Sequence, residues 1–335
     1  MDATTLSPLK RISIKGYKSI RVLDLPLSSL NVLIGANGSG KSNFISAFKL
    51  LNQIASSRLH DYVATHGGAD TMLHFGRKGS ESMSIFIEIA DVEYAIEFVP
   101  TITDGFIIHE DFRGEEDSIG ETLRQWSVFH FNDTSDTAKV RGASNINDND
   151  RLRPDGSNLA AILFLLQQKY ATHYRNIVDV IQMVAPFFDT FLLKPDPLNE
   201  QVIRLAWRQR GSEQYFDANA LSDGTLRFIC LAILLMQPNQ PPLILLDEPE
   251  MGLHPAAIAI LAGMIRSVSK STQIILSTQS STLVNQFEPE DIIVADRKGS
   301  ESVFRHITRE ELGTWLDDYS LAELWEKNVL GGRPR

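Results

Sequence analysis

The chain has 335 residues, 43% of them apolar and 22% charged, enough to bury one large core or two ordinary ones and too apolar to be disordered throughout. Its 42 acidic against 32 basic side chains give a net charge of -10, which argues against a protein that coats nucleic acid by neutralising phosphates. The longest uninterrupted apolar run, 228–236, falls far short of the roughly 18 residues a membrane-spanning helix needs. The first residues lack the order of a secretion signal, and the single cysteine, Cys230, cannot make an internal disulfide, so the expectation is a cytoplasmic protein without a membrane partner.

Alternation in 11–15 and 22–25 predicts two short strands, and the apolar run 30–34 a buried third. Lys10, Arg11, Lys15, Lys18 and Arg21 make this the most basic part of the chain, a candidate DNA contact or a solvated sheet face. A glycine-rich loop follows, and then Phe44, Ile45, Ala47, Phe48, Leu51 and Ile54 fall at helical spacing and predict a helix over 43–55. Segments 84–90, 93–99 and 105–112 alternate with period two, as in an antiparallel meander inserted after that helix. Asn, Asp, Ser and Thr dominate 132–150, which predicts a mobile surface loop.

Two helices, 159–168 and 174–184, come next, too short for a long coiled coil. Strands over 201–208 and 214–219 and an apolar helix over 225–236 lead to the short apolar run 243–246, the pattern of a central parallel strand. Pro255 suits the first position of a helix reaching about residue 269. Strands over 273–277, 291–295 and 302–307 and helices over 309–317 and 320–327 complete the reading. The expected class is α/β, a mixed central sheet flanked by helices, with an antiparallel β lobe and an inserted helical lobe. Its expected parts are 1–130, 131–200, 201–300 and 301–335.

Gly35-Ala36-Asn37-Gly38-Ser39-Gly40-Lys41-Ser42 matches GxxxxGK[ST] between a predicted buried strand and a predicted helix, the setting of a phosphate-binding P-loop. Glycines let backbone N–H groups converge on phosphate oxygens while the helix directs its positive end at the same charge. Lys41 is placed to hold the β and γ phosphates of ATP, and Ser42 to coordinate Mg²⁺. The strand 243–246 runs into Asp247 and Glu248. Asp247 suits the magnesium and Glu248 the attacking water. Leu221-Ser222-Asp223-Gly224-Thr225 opens the apolar helix upstream. On its own this is a helix cap, since Ser and Asp cap N-termini well. No NKxD motif for reading guanine is present.

With Leu221-Ser222-Asp223-Gly224 standing between the P-loop and Asp247-Glu248, the chain resembles the RecF and SMC-like branch of ABC-type P-loop ATPases, often described as AAA ATPases. The resemblance rests also on Ile14-Lys15-Gly16-Tyr17-Lys18-Ser19-Ile20, on Arg153-Pro154-Asp155-Gly156-Ser157-Asn158-Leu159-Ala160, on Asp247-Glu248-Pro249-Glu250-Met251-Gly252-Leu253-His254-Pro255 and on Tyr319-Ser320-Leu321-Ala322-Glu323-Leu324-Trp325. It implies that Ser222 and Gly224 form a signature that grips the γ phosphate of ATP held by a second copy. By the same resemblance 250–255 is the D-loop between subunits, with His254 a packing residue. Gln279 takes the place of the switch histidine, and glutamine cannot accept a proton at neutral pH. The Q-loop has no clear counterpart; Gln53 lies too early, and 74–77 is a positional guess.

The interval from Ser42 to Ser222 is longer than in a transporter subunit and lacks the coiled coil of an SMC protein. The resemblance therefore implies a compact head without a zinc hook. Its implied function is an ATP-driven clamp, two copies around two ATP and two Mg²⁺, acting in DNA repair and maintenance or antiphage defence. The alternative is a slow nucleotide-dependent switch or scaffold controlling a separately encoded effector such as a nuclease. A transporter ATP-binding subunit is the least favoured reading.

Overall fold

The computed structural model describes residues 8–114 and 116–332. The start of the chain, read above as lacking a signal, lies mostly outside them. Two compact units emerge, one from Met1–Val128, Pro241–Asp247 and Ser269–Arg335, the other from Phe129–Gln240 and Glu248–Val268.

In the first unit Leu30–Ile34, Gln273–Thr278, Leu243–Asp247 and Ile292–Lys298 are parallel neighbours. They belong to a six-stranded sheet that runs from the hairpin strand Glu301–His306 at one edge to Ser127–Phe129 at the other. Every residue of Leu30–Ile34 and of Gln273–Thr278 is buried, which is why these strands read as continuous apolar runs rather than alternating ones. The helix Lys41–Ala55 buries Phe44, Ile45, Phe48 and Leu51, with Phe44 and Phe48 edge to face at 5.4 Å.

The second sheet of this unit is antiparallel, in the order Ile20–Pro26, Leu9–Tyr17, Met83–Ile89, Val92–Pro100, Phe106–Arg113. The meander therefore continues the N-terminal hairpin, because Leu9–Tyr17 offers its second edge to Met83–Ile89. Gln273 ties the parallel sheet to this one. Its buried amide accepts from Leu9 N at 2.9 Å and donates to Leu9 O and Ser28 O, both at 2.8 Å.

The second unit holds the helices Leu159–Lys169, Ala171–Val184, Asp223–Met236 and Pro255–Val268. Small sheets accompany them, Pro195–Asp196 with Asn199–Arg204 and Ala143–Asn145, and Tyr215–Asp217 with Ala206–Gln209 and Phe188–Leu192. Asp223–Met236 is buried continuously from Leu226 to Leu235, as a helix apolar on all sides must be. The strand expected over 201–208 breaks at Leu205, and the helix expected over 309–317 breaks at Gly313, whose φ is +48°. Segment 132–150, expected to be mobile, buries Thr134, Ala138, Val140 and Ser144.

Gln273→Leu is expected to take this partner from the N–H and C=O of Leu9, to leave Ser28 O to the Asn31 amide alone, and to lower stability by about 2–3 kcal/mol. Urea denaturation monitored by circular dichroism measures this.

Candidate functional site

The loop from Gly35 to Gly40 is built on backbone that only glycine tolerates easily. Gly38 and Gly40 have φ of +79° and +108°. A Cβ on Gly40 would lie 2.7 Å from Ser302 Cβ, and one on Gly35 2.8 Å from Ser39 Oγ. Ser39 is buried, and its hydroxyl has no hydrogen-bond partner among the described residues. Lys41, also buried, donates its ammonium to Gly35 O at 2.6 Å and Ala36 O at 3.1 Å.

The following helix has no acidic residue in its first turn, so nothing in that turn offsets its positive end. Asn43 donates to Ser19 Oγ, as does Ser302, both at 2.7 Å, anchoring that turn to the sheets. Arg297 adds a guanidinium that donates to Gly38 O at 3.3 Å. Left-handed loop glycines, a buried ammonium, an unpartnered buried hydroxyl and an uncompensated helix end together fit a polyphosphate.

Asp247 and Gln279 belong to the same unit as this loop. Ser277 stands opposite Asp247 in register and donates its hydroxyl to the carboxylate. Lys49, whose ammonium burial pushes below the ordinary lysine range, lies within electrostatic reach of Asp247. Exposed Gln279 shares with Gly35, Ala36 and Asn37 the lining of a cavity of about 320 Å³. Ser42 is exposed in the first turn. Among the described residues no group of three or more His, Cys, Asp and Glu gathers as a metal site. A hard cation bound by Ser42 and Asp247 would complete its shell with water and phosphate oxygens, the usual habit of magnesium.

Glu248, the residue after Asp247, has φ of +48°. A non-glycine residue held in left-handed backbone is strained, and such strain gathers at functional sites.

Glu248 is counted with the second unit, where the remaining candidates also lie. Ser222 is the N-cap of Asp223–Met236 and accepts from Thr225 N at 3.2 Å, so the capping reading holds locally. A Cβ on Gly224 would come within 2.5 Å of Gly252 O, and this close approach requires glycine. Arg227 donates to Phe131 O at 2.8 Å, to Asn132 O at 3.3 Å and to Met251 O. Arg141 holds the turn before Ser222, donating to Thr134 O at 2.8 Å, Leu221 O at 3.1 Å, Asp223 at 2.8 Å and Ala218 O.

Sequence reasoning missed Arg141, Arg227 and Arg297. Arg227 carried a signal, a cation inside an apolar helix, whereas Arg141 sat in a segment without period. His254, expected to pack, is exposed and accepts from Ala256 N at 3.2 Å at the start of Pro255–Val268. His74 is buried and bonds Lys18 O through Nδ1 at 2.6 Å, while Gln53 bonds Asn52 at 3.2 Å. Of the N-terminal cations, Lys10 lies 3.9 Å from Glu88 and from Asp91, Arg11 pairs with Asp24, and Arg21 lies 3.0 Å from Glu301.

A sequence family described as "AAA domain, putative AbiEii toxin, Type IV TA system" matches residues 107–285, and one described as "AAA ATPase domain" matches 8–102. The DNA replication and repair protein RecF of Pseudoalteromonas translucida is 32% identical over 25% of this chain and 24% of its own length. The OLD nuclease of Thermus scotoductus is 22% identical over 97% of this chain and 68% of its own. A urease accessory protein 2 of Cryptococcus neoformans is 34% identical over 24% of this chain. The chain spans 6% of that accessory protein and 24% of the RecF.

Among solved structures, an SMC head bound to the C-terminal winged-helix domain of ScpA superposes with a TM-score of 0.65 at 17% identity, covering 90% of this chain and 98% of the other. An SMC head with an extended coiled coil, bound to the C-terminal domain of ScpA derived from Pyrococcus furiosus, gives 0.64 at 15% identity and covers 92% and 98%. The fold is that of an SMC head.

Arg141→Met is expected to take the guanidinium from the Thr134 and Leu221 carbonyls, to leave Ala218 O with the Leu221 N–H alone, and to cost about 2 kcal/mol. Hydrogen exchange read by mass spectrometry should accelerate across 218–225; unchanged protection there would refute the pinning role.

Proposed function

The chain belongs to the AAA domain family matched over residues 107–285 and is a RecF/SMC-like ATPase of the ABC type; from that premise we propose that it binds ATP with magnesium at residues 35–42, hydrolyses it, and works as two copies closed around two nucleotides. The observation that carries this reading is the loop itself, with left-handed glycines, buried Lys41 on the Gly35 and Ala36 carbonyls, and the unpartnered hydroxyl of Ser39.

In this reading the N–H groups of Gly38, Gly40 and Lys41 bind phosphate oxygens while that of Ser39 holds the loop turn on Ala36 O at 3.1 Å, and Lys41 shifts from its loop carbonyls to the β and γ phosphates. Ser42 and Asp247 hold magnesium, which when bound neutralises phosphate charge. The Ser277 hydroxyl keeps the Asp247 carboxylate oriented. Glu248 orients the attacking water and takes its proton, its left-handed backbone turning the chain directly after Asp247. Ser222 and Gly224 of one copy cap the triphosphate of the other, the role implied by their resemblance to the ABC signature. Ser222 Oγ now accepts from Thr225 N and shares a hydrogen bond with Thr225 Oγ1 at 2.8 Å; with the threonine hydroxyl as the donor there, the serine proton turns to the nucleotide.

The biological setting we propose is DNA maintenance or defence, supported by the likeness to a RecF and an OLD nuclease. The net charge of -10 and the ion-paired Lys10, Arg11 and Arg21 weigh against general DNA coating. Among the described residues no helix is long and apolar enough to cross a membrane.

Lys41→Ala should abolish nucleotide binding, and Glu248→Gln should keep binding while cutting turnover by about 10²–10⁴. With ATP and magnesium, Glu248→Gln should double in mass by light scattering. Turnover at the unsubstituted rate would remove Glu248 as the base, and a persistent monomer would remove the paired arrangement.

Gln279 favours a second reading. A side chain that cannot take a proton stands beside the P-loop on the cavity wall, which suits slow hydrolysis and a nucleotide-dependent switch controlling an effector. DNA-stimulated turnover supports the clamp; slow turnover indifferent to DNA, with a tightly bound protein partner, supports the switch.

A further inference from the structure

The cavity beside the P-loop has a wall from the far end of the chain. Trp325 and Gly332 line it together with Gly35, Ala36, Asn37 and Gln279. The path there is held at several points. Ser320 and Glu323 form a capping box that starts Leu321–Glu326. Asn328, with φ of +60°, ends that helix. Leu330 is fully buried, and its carbonyl accepts from Arg305 at 2.8 Å. Gly331 and Gly332 then turn through φ of +80° and +75°, and Gly332 O accepts from Ala36 N at 2.6 Å.

That last bond is the segment's direct grip on the P-loop. The fit is tight for any side chain. A Cβ on Gly332 would lie 3.0 Å from Val294 Cγ1, 3.1 Å from Ala295 O and 3.3 Å from Gly35 Cα, while φ of +75° is itself unfavourable for any L side chain. Anything that displaces Gly332 also releases the first turn of the loop.

Trp325 supplies the second, independent observation. It is 8% exposed, lines the cavity, and its indole Nε1 has no hydrogen-bond partner among the described residues. Indole nitrogen can only donate, and buried tryptophan N–H groups normally find an acceptor because leaving one without a partner is costly. The nitrogen is closed to solvent in this structure, so it meets a ligand oxygen only when the wall around Trp325 shifts to open it; a buried donor without a partner, in a residue that lines the cavity beside residues 35–37, points to an acceptor supplied by the ligand.

We propose that the segment from Trp325 to Gly332 is part of the nucleotide site, with Gly332 positioning the P-loop through Ala36 and Trp325 donating its indole N–H to an oxygen of the bound nucleoside triphosphate. This rests on the reading of residues 35–42 as the triphosphate site and adds to it a specific contact from the C-terminal segment. Ligand binding then changes the surroundings of Trp325, and its emission reports whether the site is filled.

The test uses the full chain, magnesium and a slowly hydrolysed ATP analogue, with affinity from calorimetry and tryptophan emission read in parallel. The protein has four tryptophans, so Trp325→Phe identifies the signal from this one. Expected are a saturable emission change in the unsubstituted protein, its loss in Trp325→Phe, and affinity about five- to tenfold weaker for that variant, the scale of one lost hydrogen bond. Gly332→Val should weaken binding at least about tenfold. Gly211→Val should not, since Gly211 has a comparable φ of +78° but nothing within 4 Å of an added Cβ.

If Trp325→Phe and Gly332→Val both bind as the unsubstituted protein does, with the emission change retained and Lys41→Ala impaired, the inference is overturned while the triphosphate site stands. If Lys41→Ala binds undiminished, the triphosphate site itself is wrong and the inference falls with it. Should Gly332→Val fail to fold, Trp325→Phe decides alone, because it keeps an aromatic ring in the wall and removes only the donor and part of the ring area.

Discussion

Everything at the site depends on the register of four parallel strands. Leu33 pairs with Ser277, Ile34 with Thr278, Asp247 with Ser277, and Ile34 also with Val294. These pairings bring the carboxyl ends of the strands into one row, so that Gly35, Asp247, Gln279 and Ala295 emerge side by side. Ligands of open α/β sheets bind at that edge for the same reason. A slip of one residue would exchange the two faces of a strand, and because both faces are close-packed every side chain would meet a neighbour of the wrong shape. Burial thus fixes to within a residue where the chemistry begins.

Charge is distributed to the same end. The protein is acidic overall, yet its P-loop helix begins without an acid in the first turn and gathers Lys41 and Arg297 at the loop. Lys18 and Lys49 stand near enough to depress one of them further, beyond the effect of burial, and Lys49 faces Asp247. Net charge governs what the whole surface attracts from a distance, whereas a phosphate within the loop responds to the few groups within a screening length. An acidic protein can therefore hold a polyanion in one place and repel it elsewhere.

The P-loop, the strand ending in Asp247 and Glu248, and the capped helix at Ser222 were legible because each couples a local backbone demand to a short run of residues. The meander was legible from alternation, as in Met83–Ile89, where buried and half-buried residues alternate. What could not be read depends on pairings distant in sequence. That Leu9–Tyr17 pairs with both Ile20–Pro26 and Met83–Ile89 follows from sheet edges that no local period encodes. The helices Leu59–Thr65 and Gly68–Met72 are too short for a clear apolar stripe. The polar segment 132–150 looked solvated because its composition is, yet Arg141 there spends its guanidinium on distant carbonyls. Trp325 and Gly332 stood at the end of the chain, and nothing in their spacing tied them to a loop near its start.

The second unit raises a question of mechanics that its hydrogen bonds answer. A residue that caps a nucleotide on another copy is useful only if it moves together with the loop that meets that copy. Gly224 at the start of Asp223–Met236 lies against the Gly252 carbonyl, so neither backbone can shift alone without opening a gap or a clash. One turn further on, Arg227 reaches Met251 O from the same helix and Phe131 O and Asn132 O on the other side. Burial lowers its pKa, but guanidinium begins so far above neutrality that the charge persists. A buried charge satisfied by three carbonyls is hard to withdraw from, because each lost bond exposes an unmet group. The turn at Ser222–Gly224 and the loop at Met251–Gly252 are thereby held to one another, which suits the signature and D-loop roles proposed for them.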